Sequence, residues 1–205
     1  MGFSGKRGKN LKLKRLAVFG GSFDPVHIGH IEIAKSAQQN FDLSKVIFVC
    51  AWAAPHKPQH FASAQDRLKM LSMAVQNIEN FEISLFELSC KNVVYSYQTL
   101  DYFQKIYPDY EILMIIGSDS LNGIKTWKKI DYIVSKYKFI VANRTENLPS
   151  AANEYIKNCL FIDREFENIS SKKIRALLAA KDEQAQKYLT PKVYRYIKEN
   201  GLYGC

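Results

Sequence analysis

Four cysteines, Cys50, Cys90, Cys159 and Cys205, are scattered over 205 residues. No two of them stand at a CxxC or Cys/His spacing, which argues against a zinc site and against a disulfide framework. Reduced thiols of this kind point to a cytoplasmic protein. No apolar run approaches the roughly 20 residues needed to cross a bilayer, so a membrane partner is not expected. The first residues carry no apolar stretch of the secretory-signal type. There is no internal repeat, no low-complexity tract and no composition shift marking a second domain. The length suits one α/β domain.

Acidic residues are also missing from one place. Residues 1–15 contain Lys6, Arg7, Lys9, Lys12, Lys14 and Arg15 and no acid, so they supply +6 of the formal net charge of +9. The segment is expected to be a disordered basic leader, with a nucleic-acid-binding arm as the sharper alternative. Residues 16–205 keep a modest positive excess, suited to a phosphate-bearing substrate rather than to nucleic acid.

What is present is an alternation of short apolar runs with helix-period stretches. Leu16–Phe19, Val46–Cys50, Ile112–Ile116, Phe139–Ala142 and Leu160–Ile162 read as buried strands. Phe81–Leu88 reads as an edge strand or an extended connection. Ile31–Phe41, Ala64–Ile78, Tyr97–Ile106, Ile124–Lys136 and Ser171–Ala180 suit helices; in Ala64–Ile78 the apolar face is formed by Leu68, Leu71, Ala74 or Val75, and Ile78. Thr190 as N-cap, Pro191 at the first helical position and Gly201 beyond the end punctuate a last helix. Asn143–Ala152 is polar and reads as a surface loop. The pattern predicts a doubly wound, Rossmann-like parallel sheet with helices on both faces, and ligands in such sheets bind beyond the carboxyl ends of the strands.

The first chemical signal follows the first strand. Gly20-Gly-Ser-Phe-Asp-Pro-Val-His-Ile-Gly-His30 is a glycine-rich turn running into a helix with two histidines at its mouth. Gly20 and Gly21 let the backbone approach an anion with no Cβ in the way, and the N–H groups of the helix start face the same anion. His27 and His30 share a face of the first turn and can each donate to a phosphate oxygen, with nearby negative charge favouring the imidazolium. The second signal is Asn168-Ile-Ser-Ser-Lys-Lys-Ile-Arg175, in which Ser170 or Ser171 caps a helix and Arg175 offers a forked set of donors. Weaker features stand at other strand ends. Lys57 in Pro55-His56-Lys57 is either a phosphate ligand or a solvated loop cation. In Ile116-Gly-Ser-Asp-Ser-Leu121, Gly117 permits a tight turn and Asp119 is either a ribose contact or a helix N-cap. Trp127 is either a stacking platform or core, and Ser96 is a candidate N-cap.

These segments keep one order from Leu16 to Tyr203 and together resemble the bacterial nicotinate mononucleotide adenylyltransferases, members of the HxGH nucleotidyltransferases. The matching pieces are GGSFDPVHIGH (20–30), PHK (55–57), RLKML (67–71), YSYQTL (95–100), IGSDSL (116–121), Trp127, Arg144, ISSKKIR (169–175) and VYRYIKENGLY (193–203). The resemblance implies condensation of ATP with nicotinate mononucleotide to nicotinate adenine dinucleotide and pyrophosphate, with Mg²⁺ carried by the ATP and no metal ligands of the protein's own. It implies that His27, His30, Lys57 and Arg175 are catalytic. Gly20, Gly21, Ser22, Phe23, Gly117, Asp119, Ile169, Ser170 and Ser171 would join His27, His30 and Arg175 in holding ATP. Tyr95, Ser96, Trp127 and Arg144, with Lys57, would hold the mononucleotide. Three positions depart from the family pattern: Lys172 replaces a small hydroxyl residue, Gln98 stands where Asp is common, and Arg144 lacks the Pro-Gly that usually follows it.

The nearest rivals are other HxGH enzymes whose acceptor is nicotinamide mononucleotide or phosphopantetheine, or a cytidylyltransferase. A class I aminoacyl-tRNA synthetase fragment would need a KMSKS-type loop, which is absent. A nucleic-acid-binding protein and a pyridine nucleotide sensor without catalysis are the readings from other classes. The residues do not set the choice between nicotinate and nicotinamide, nor the oligomeric state.

Overall fold

The computed structural model describes residues 13–53, 60–144 and 154–205. Six parallel strands, β1 (Lys14–Gly21), β2 (Leu43–Cys50), β3 (Phe81–Ser84), β4 (Tyr110–Gly117), β5 (Lys138–Arg144) and β6 (Cys159–Phe166), form one sheet in the order β3-β2-β1-β4-β5-β6. The order reverses at β1, so the switch point lies between β1 and β4. The α-helices between and after the strands are α1 (Ile28–Phe41), α2 (Ala64–Val75), α3 (Phe86–Cys90), α4 (Ser96–Ile106), α5 (Ser118–Asn122), α6 (Ile130–Lys136), α7 (Ser171–Ala179) and α8 (Pro191–Glu199).

Strand periodicity divides the core into two layers. Ala17, Phe19, Val46, Phe48, Leu113 and Ile115 face α1, α2, α7 and α8, where Ala34, Leu71, Ile174 and Val193 meet them. Leu16, Val18, Ile47, Val49, Ile112 and Met114 face the other way, against Leu100 and Phe103 of α4 and Ile130 and Ile133 of α6. The central strands are apolar on both faces because helices cover both.

Several boundaries differ from the sequence expectation. Lys14 and Arg15, counted with the basic leader on charge alone, are strand residues: Arg15 pairs with Glu111 at 2.8 Å across β1 and β4. The stretch Phe81–Leu88 is a strand only as far as Ser84, and α3 begins at Phe86. Ile124–Lys136 is not one helix. A short 3₁₀ turn over Ile124–Thr126 ends at Trp127, and Lys129, at φ 59°, breaks the chain before α6. In α2 the buried face is Arg67, Met70, Leu71 and Val75, so a charged residue occupies the position where apolar Leu68 was expected. The last helix is built as its punctuation predicts: Thr190 Oγ1 accepts the N–H of Val193 at 3.4 Å, Pro191 opens α8, and Gly201 follows at φ 58°.

Candidate active site

A cleft of about 410 Å³ opens at the carboxyl ends of β1 and β4, at the switch point. Gly20, Gly21, Ser22, Phe23 and His30 line one side, Gly117 and Asp119 another; Ser96, Trp127 and Ser171 complete its rim. Ten of the residues singled out from the sequence therefore share one wall.

His30 stands in the first turn of α1, and its Nδ1 accepts the backbone N–H of His27 at 3.2 Å. An Nδ1 used as acceptor places the proton of the neutral ring on Nε2, so His30 acts as an Nε2–H donor without having to be an imidazolium. His27 is 3% exposed and is absent from the cleft wall; its ring stacks on that of His30 at 3.7 Å. The stacked ring supports the orientation of His30. The glycine between them has a packing reason: a Cβ on Gly29 would lie 3.1 Å from His27 Nδ1. Gly21 is similar, with Phe23 Cζ at 3.1 Å from a Cβ placed there. Phe23 itself takes the left-handed conformation (φ 47°) and packs edge-on against His30 at 5.1 Å.

The second motif closes on the first. Ser170 caps α7, accepting the N–H of Lys173 at 3.2 Å. Ser171 Oγ donates to Pro25 O at 2.9 Å, and Arg175 Nη1 donates to Asp24 O at 2.6 Å. Ile169 is buried against the Gly29 turn. Arg175 also lies over the exposed Phe61 ring, 4.0 Å from its centroid. Ser171 lines the cleft, and Ile169, Ser170 and Arg175 adjoin it on the same helix start.

On the opposite side the structure revises two local expectations. The N-cap of α4 is Tyr95, with Ser96 as the first helical residue, and Gln98 Oε1 accepts the Tyr95 N–H at 3.0 Å. The departure at Gln98 thus has a capping role. Gly117 is extended (φ −83°), not a tight turn, and a Cβ there would meet nothing within 4 Å. It is the N-cap of α5, which leaves Asp119 in the first turn rather than at the cap. Trp127 packs edge-on against Phe139 at 6.0 Å and presents its remaining surface to the cleft. Tyr95 is covered by Lys128 Nζ at 4.3 Å and is not on the cleft wall. Arg144 is the last residue of β5. Lys57, with Pro55 and His56, lies outside the described residues.

Three residues that the sequence did not single out complete the surroundings. Arg67 is 1% exposed, and its Nη1 donates to Ser22 O at 2.8 Å and Ala51 O at 2.7 Å. Asp24 is 4% exposed and its carboxylate accepts the N–H groups of Phe61 (2.7 Å) and Ala62 (3.1 Å) and the hydroxyl of Tyr203 (2.7 Å). Glu87, on the cleft wall, accepts the Thr99 hydroxyl at 2.7 Å, and its carboxyl is pushed up chiefly by burial, against the opposing pull of that hydrogen bond. Arg67 and Asp24 lie inside the matching segments RLKML and GGSFDPVHIGH, but a charged residue on an amphipathic helix or beside an apolar run reads as solvent-facing, so no role was assigned to any of the three.

A nucleotide-sized cleft at the switch of a parallel sheet, with a histidine-bearing helix start on one side and a capped basic helix on the other, defines a nucleotidyltransferase of the HxGH class. The cytidylyltransferase-like family matches residues 18–177. A probable nicotinate-nucleotide adenylyltransferase of Endomicrobium trichonymphae is 50% identical over 192 residues, covering 93% of this chain and 100% of the relative. That of Methylacidiphilum infernorum is 39% identical, covering 92% of each. The nicotinic acid mononucleotide adenylyltransferase of Plasmodium falciparum, solved in complexes with NaAD and with APC, shares the fold. Those structures give TM-scores of 0.75 and 0.77 at 21% identity, over 93% of this chain and 97% of theirs. The chain belongs to the nicotinate-nucleotide adenylyltransferases within the cytidylyltransferase-like family.

Proposed function

We propose that this chain transfers the adenylyl group of ATP to nicotinate mononucleotide, giving nicotinate adenine dinucleotide and pyrophosphate in NAD biosynthesis. The observation that carries the reading is the closure of the Ser171–Arg175 helix start onto the Asp24–Pro25 carbonyls beside His30, at one cleft. Two phosphate-binding segments 146 residues apart are thereby held on one nucleotide.

The substrate phosphate is already a nucleophile, so no side chain has to form a covalent intermediate. Its oxygen bonds to the α-phosphorus of ATP while the α–β bridging bond breaks, and the electron pair leaves with pyrophosphate. Transfer of this kind depends on alignment and on stabilising charge at the leaving oxygens. His30 donates from Nε2 to those oxygens as their charge grows, with His27 fixing its tautomer and tilt. Ser170, Ser171 and Arg175 hold the triphosphate from the α7 side, and Ile169 seats that segment. The Gly20–Phe23 backbone takes the phosphate nearer β1. Gly117 leaves room for the nucleotide and Asp119 contacts its sugar. Trp127 stacks on the pyridine ring, with Ser96 and the backbone at Tyr95 at its edge, and Lys57 and Arg144 meet the mononucleotide phosphate.

Magnesium enters as part of Mg-ATP and supplies charge neutralisation on the phosphate oxygens when bound. Among the described residues no three His, Cys, Asp or Glu side chains converge on a metal position. The cleft wall offers the carboxyls of Asp119 and Glu87, and burial opposes charge on the latter. That donor set suits an ion whose ligands are mostly nucleotide oxygens. Among the described residues no helix is long and apolar enough to cross a membrane, and we place the reaction in the cytoplasm, on small-molecule substrates and without nucleic acid.

The test is pyrophosphate release from Mg-ATP with nicotinate mononucleotide, nicotinamide mononucleotide or phosphopantetheine as acceptor. Strong preference for nicotinate mononucleotide is expected. Turnover with phosphopantetheine alone would overturn the acceptor assignment.

A further inference from the structure

Arg67 is an expensive residue to bury. It is 1% exposed, forms no ion pair among the described residues, and its Nε meets no acceptor. A buried cation without a counter-ion persists only where the surroundings supply compensating dipoles. Here those dipoles are carbonyls. Nη1 takes Ser22 O at 2.8 Å and Ala51 O at 2.7 Å and touches Cys50 Sγ at 3.2 Å; Nη2 reaches Trp52 O at 3.4 Å.

The position of those carbonyls matters. Ser22 follows β1 and Ala51 follows β2, and Ser22, Phe23, Ala51 and Ala53 are all on the cleft wall. Arg67 is behind that wall. In a trans peptide the C=O of one residue and the N–H of the next point in opposite directions. The Ser22–Phe23, Ala51–Trp52 and Trp52–Ala53 peptides are all trans. Each carbonyl drawn back to Arg67 therefore turns the following N–H, that of Phe23, Trp52 or Ala53, away from the guanidinium, and Phe23 and Ala53 line the cleft. No carbonyl or side-chain acceptor among the described residues takes these three N–H groups. Successive N–H groups turned to one side form an anion-binding concavity.

We infer that Arg67 is a positioning residue that, without touching substrate, aims the Phe23, Trp52 and Ala53 N–H groups at a phosphate oxygen of the bound nucleotide. The inference rests on the adenylyltransferase reading for the identity of the nucleotide, but its test does not use turnover. The guanidinium fork reaches these carbonyls from two nitrogens, Nη1 and Nη2, a spread that the single nitrogen of an ammonium covers less well. The buried charge behind the wall adds a field of the sign that favours a phosphate.

Two experiments check it. In the wild-type protein, labelled with ¹⁵N and titrated with Mg-ATP, the amide protons of Phe23, Trp52 and Ala53 should move downfield; if they stay in place while the Gly117 amide responds, the inference is overturned. In Arg67→Met and Arg67→Lys, with folding followed by thermal unfolding, Kd is measured for adenosine, AMP and ATP. The expected loss in Arg67→Met is at least about tenfold for ATP, smaller for AMP and smallest for adenosine, with Arg67→Lys recovering only part. Equal losses for all three ligands would make Arg67 a packing residue and overturn the inference. Should Arg67→Met not fold, the wild-type titration and Arg67→Lys still decide. A chain that binds ATP in this way but releases no pyrophosphate with nicotinate mononucleotide would refute the acceptor reading and leave the role of Arg67 standing.

Discussion

Tyr203 donates its phenolic proton to Asp24 Oδ1 across 2.7 Å, joining residues 179 apart in sequence. Tyr203 holds a left-handed backbone (φ 62°) to do so, and burial, reinforced by the Asp24 hydrogen bond, pushes its hydroxyl far above the ordinary tyrosine range. The same carboxylate holds the Phe61 and Ala62 N–H groups. Tyr203→Phe should lower stability by about 1.5–3 kcal/mol, the range for a hydrogen bond to a charged group, as read from urea unfolding. Asp24→Asn should cost more, because whichever way the amide turns its NH₂ meets the N–H of Phe61 or Ala62, which cannot accept; a variant as stable as the wild type would remove Asp24 from this role.

His30→Ala should lower kcat by at least about 10², roughly 3 kcal/mol, with the fold intact. Steady-state pyrophosphate release checks this, alongside a thermal melt. Near-normal turnover in a folded His30→Ala protein would exclude the donor role.

Two glycines should respond oppositely to the same methyl group. Gly29→Ala forces the His27 ring, 3.1 Å from the new Cβ, to move or strain, at about 1–3 kcal/mol. Gly117→Ala meets no protein atom within 4 Å and has a φ any residue adopts, so stability should hold or rise by up to about 1 kcal/mol. Its methyl enters the cleft, and KM for ATP should rise. The paired melts and KM values separate a packing glycine from a glycine that makes room for substrate.

Cys50 is pushed up to about 11 by burial, above its ordinary 9.0. The folded state therefore keeps a proton that the unfolded chain releases first. Its contribution is complete below pH 9 and is lost as pH rises through about 11, at up to 1.4 kcal/mol per unit, so about 2–3 kcal/mol in all. Urea titrations at pH 8, 9 and 10 should show the decline, flattened in Cys50→Ala. At pH 8 iodoacetamide should label exposed Cys90 well before Cys50; the reverse order would contradict the burial.

Burial also pushes the Glu87 carboxyl up, so its charged form is disfavoured in the fold. Glu87→Gln keeps an acceptor for the Thr99 hydroxyl and removes that charge. It should be more stable than wild type at pH 7, with the difference shrinking as pH falls toward the ordinary carboxylate value of 4.5 and gone below it. Equal stability across that range would show the charge to be well solvated.

The sheet was legible because its central strands are unbroken apolar runs buried on both faces, and the turns at the site carry glycine or a capping residue. Boundaries failed where one residue changed the backbone: Lys129 in the left-handed region divides the stretch read as a single helix, and Leu85 ends β3 early. In the site, Gly20–His30 and Ser170–Arg175 could be found because their chemistry is local. Arg67 and Asp24 lie in the matching segments, but their roles could not be read, since each owes its role to carbonyls or N–H groups brought from other elements. Spacing placed His27 beside His30, and packing adds that the two rings stack.

The Ser171–Pro25 and Tyr203–Asp24 contacts also set an order in time. At about 5–20 residues per second, the ribosome finishes the glycine-rich loop roughly 7–30 seconds before it makes the helix start that seats it. By the end of that interval the growing chain holds all six strands yet still lacks the groups that close the nucleotide site. Catalytic competence in this molecule is therefore a late event of synthesis, arriving only when its last helices dock on its first loop.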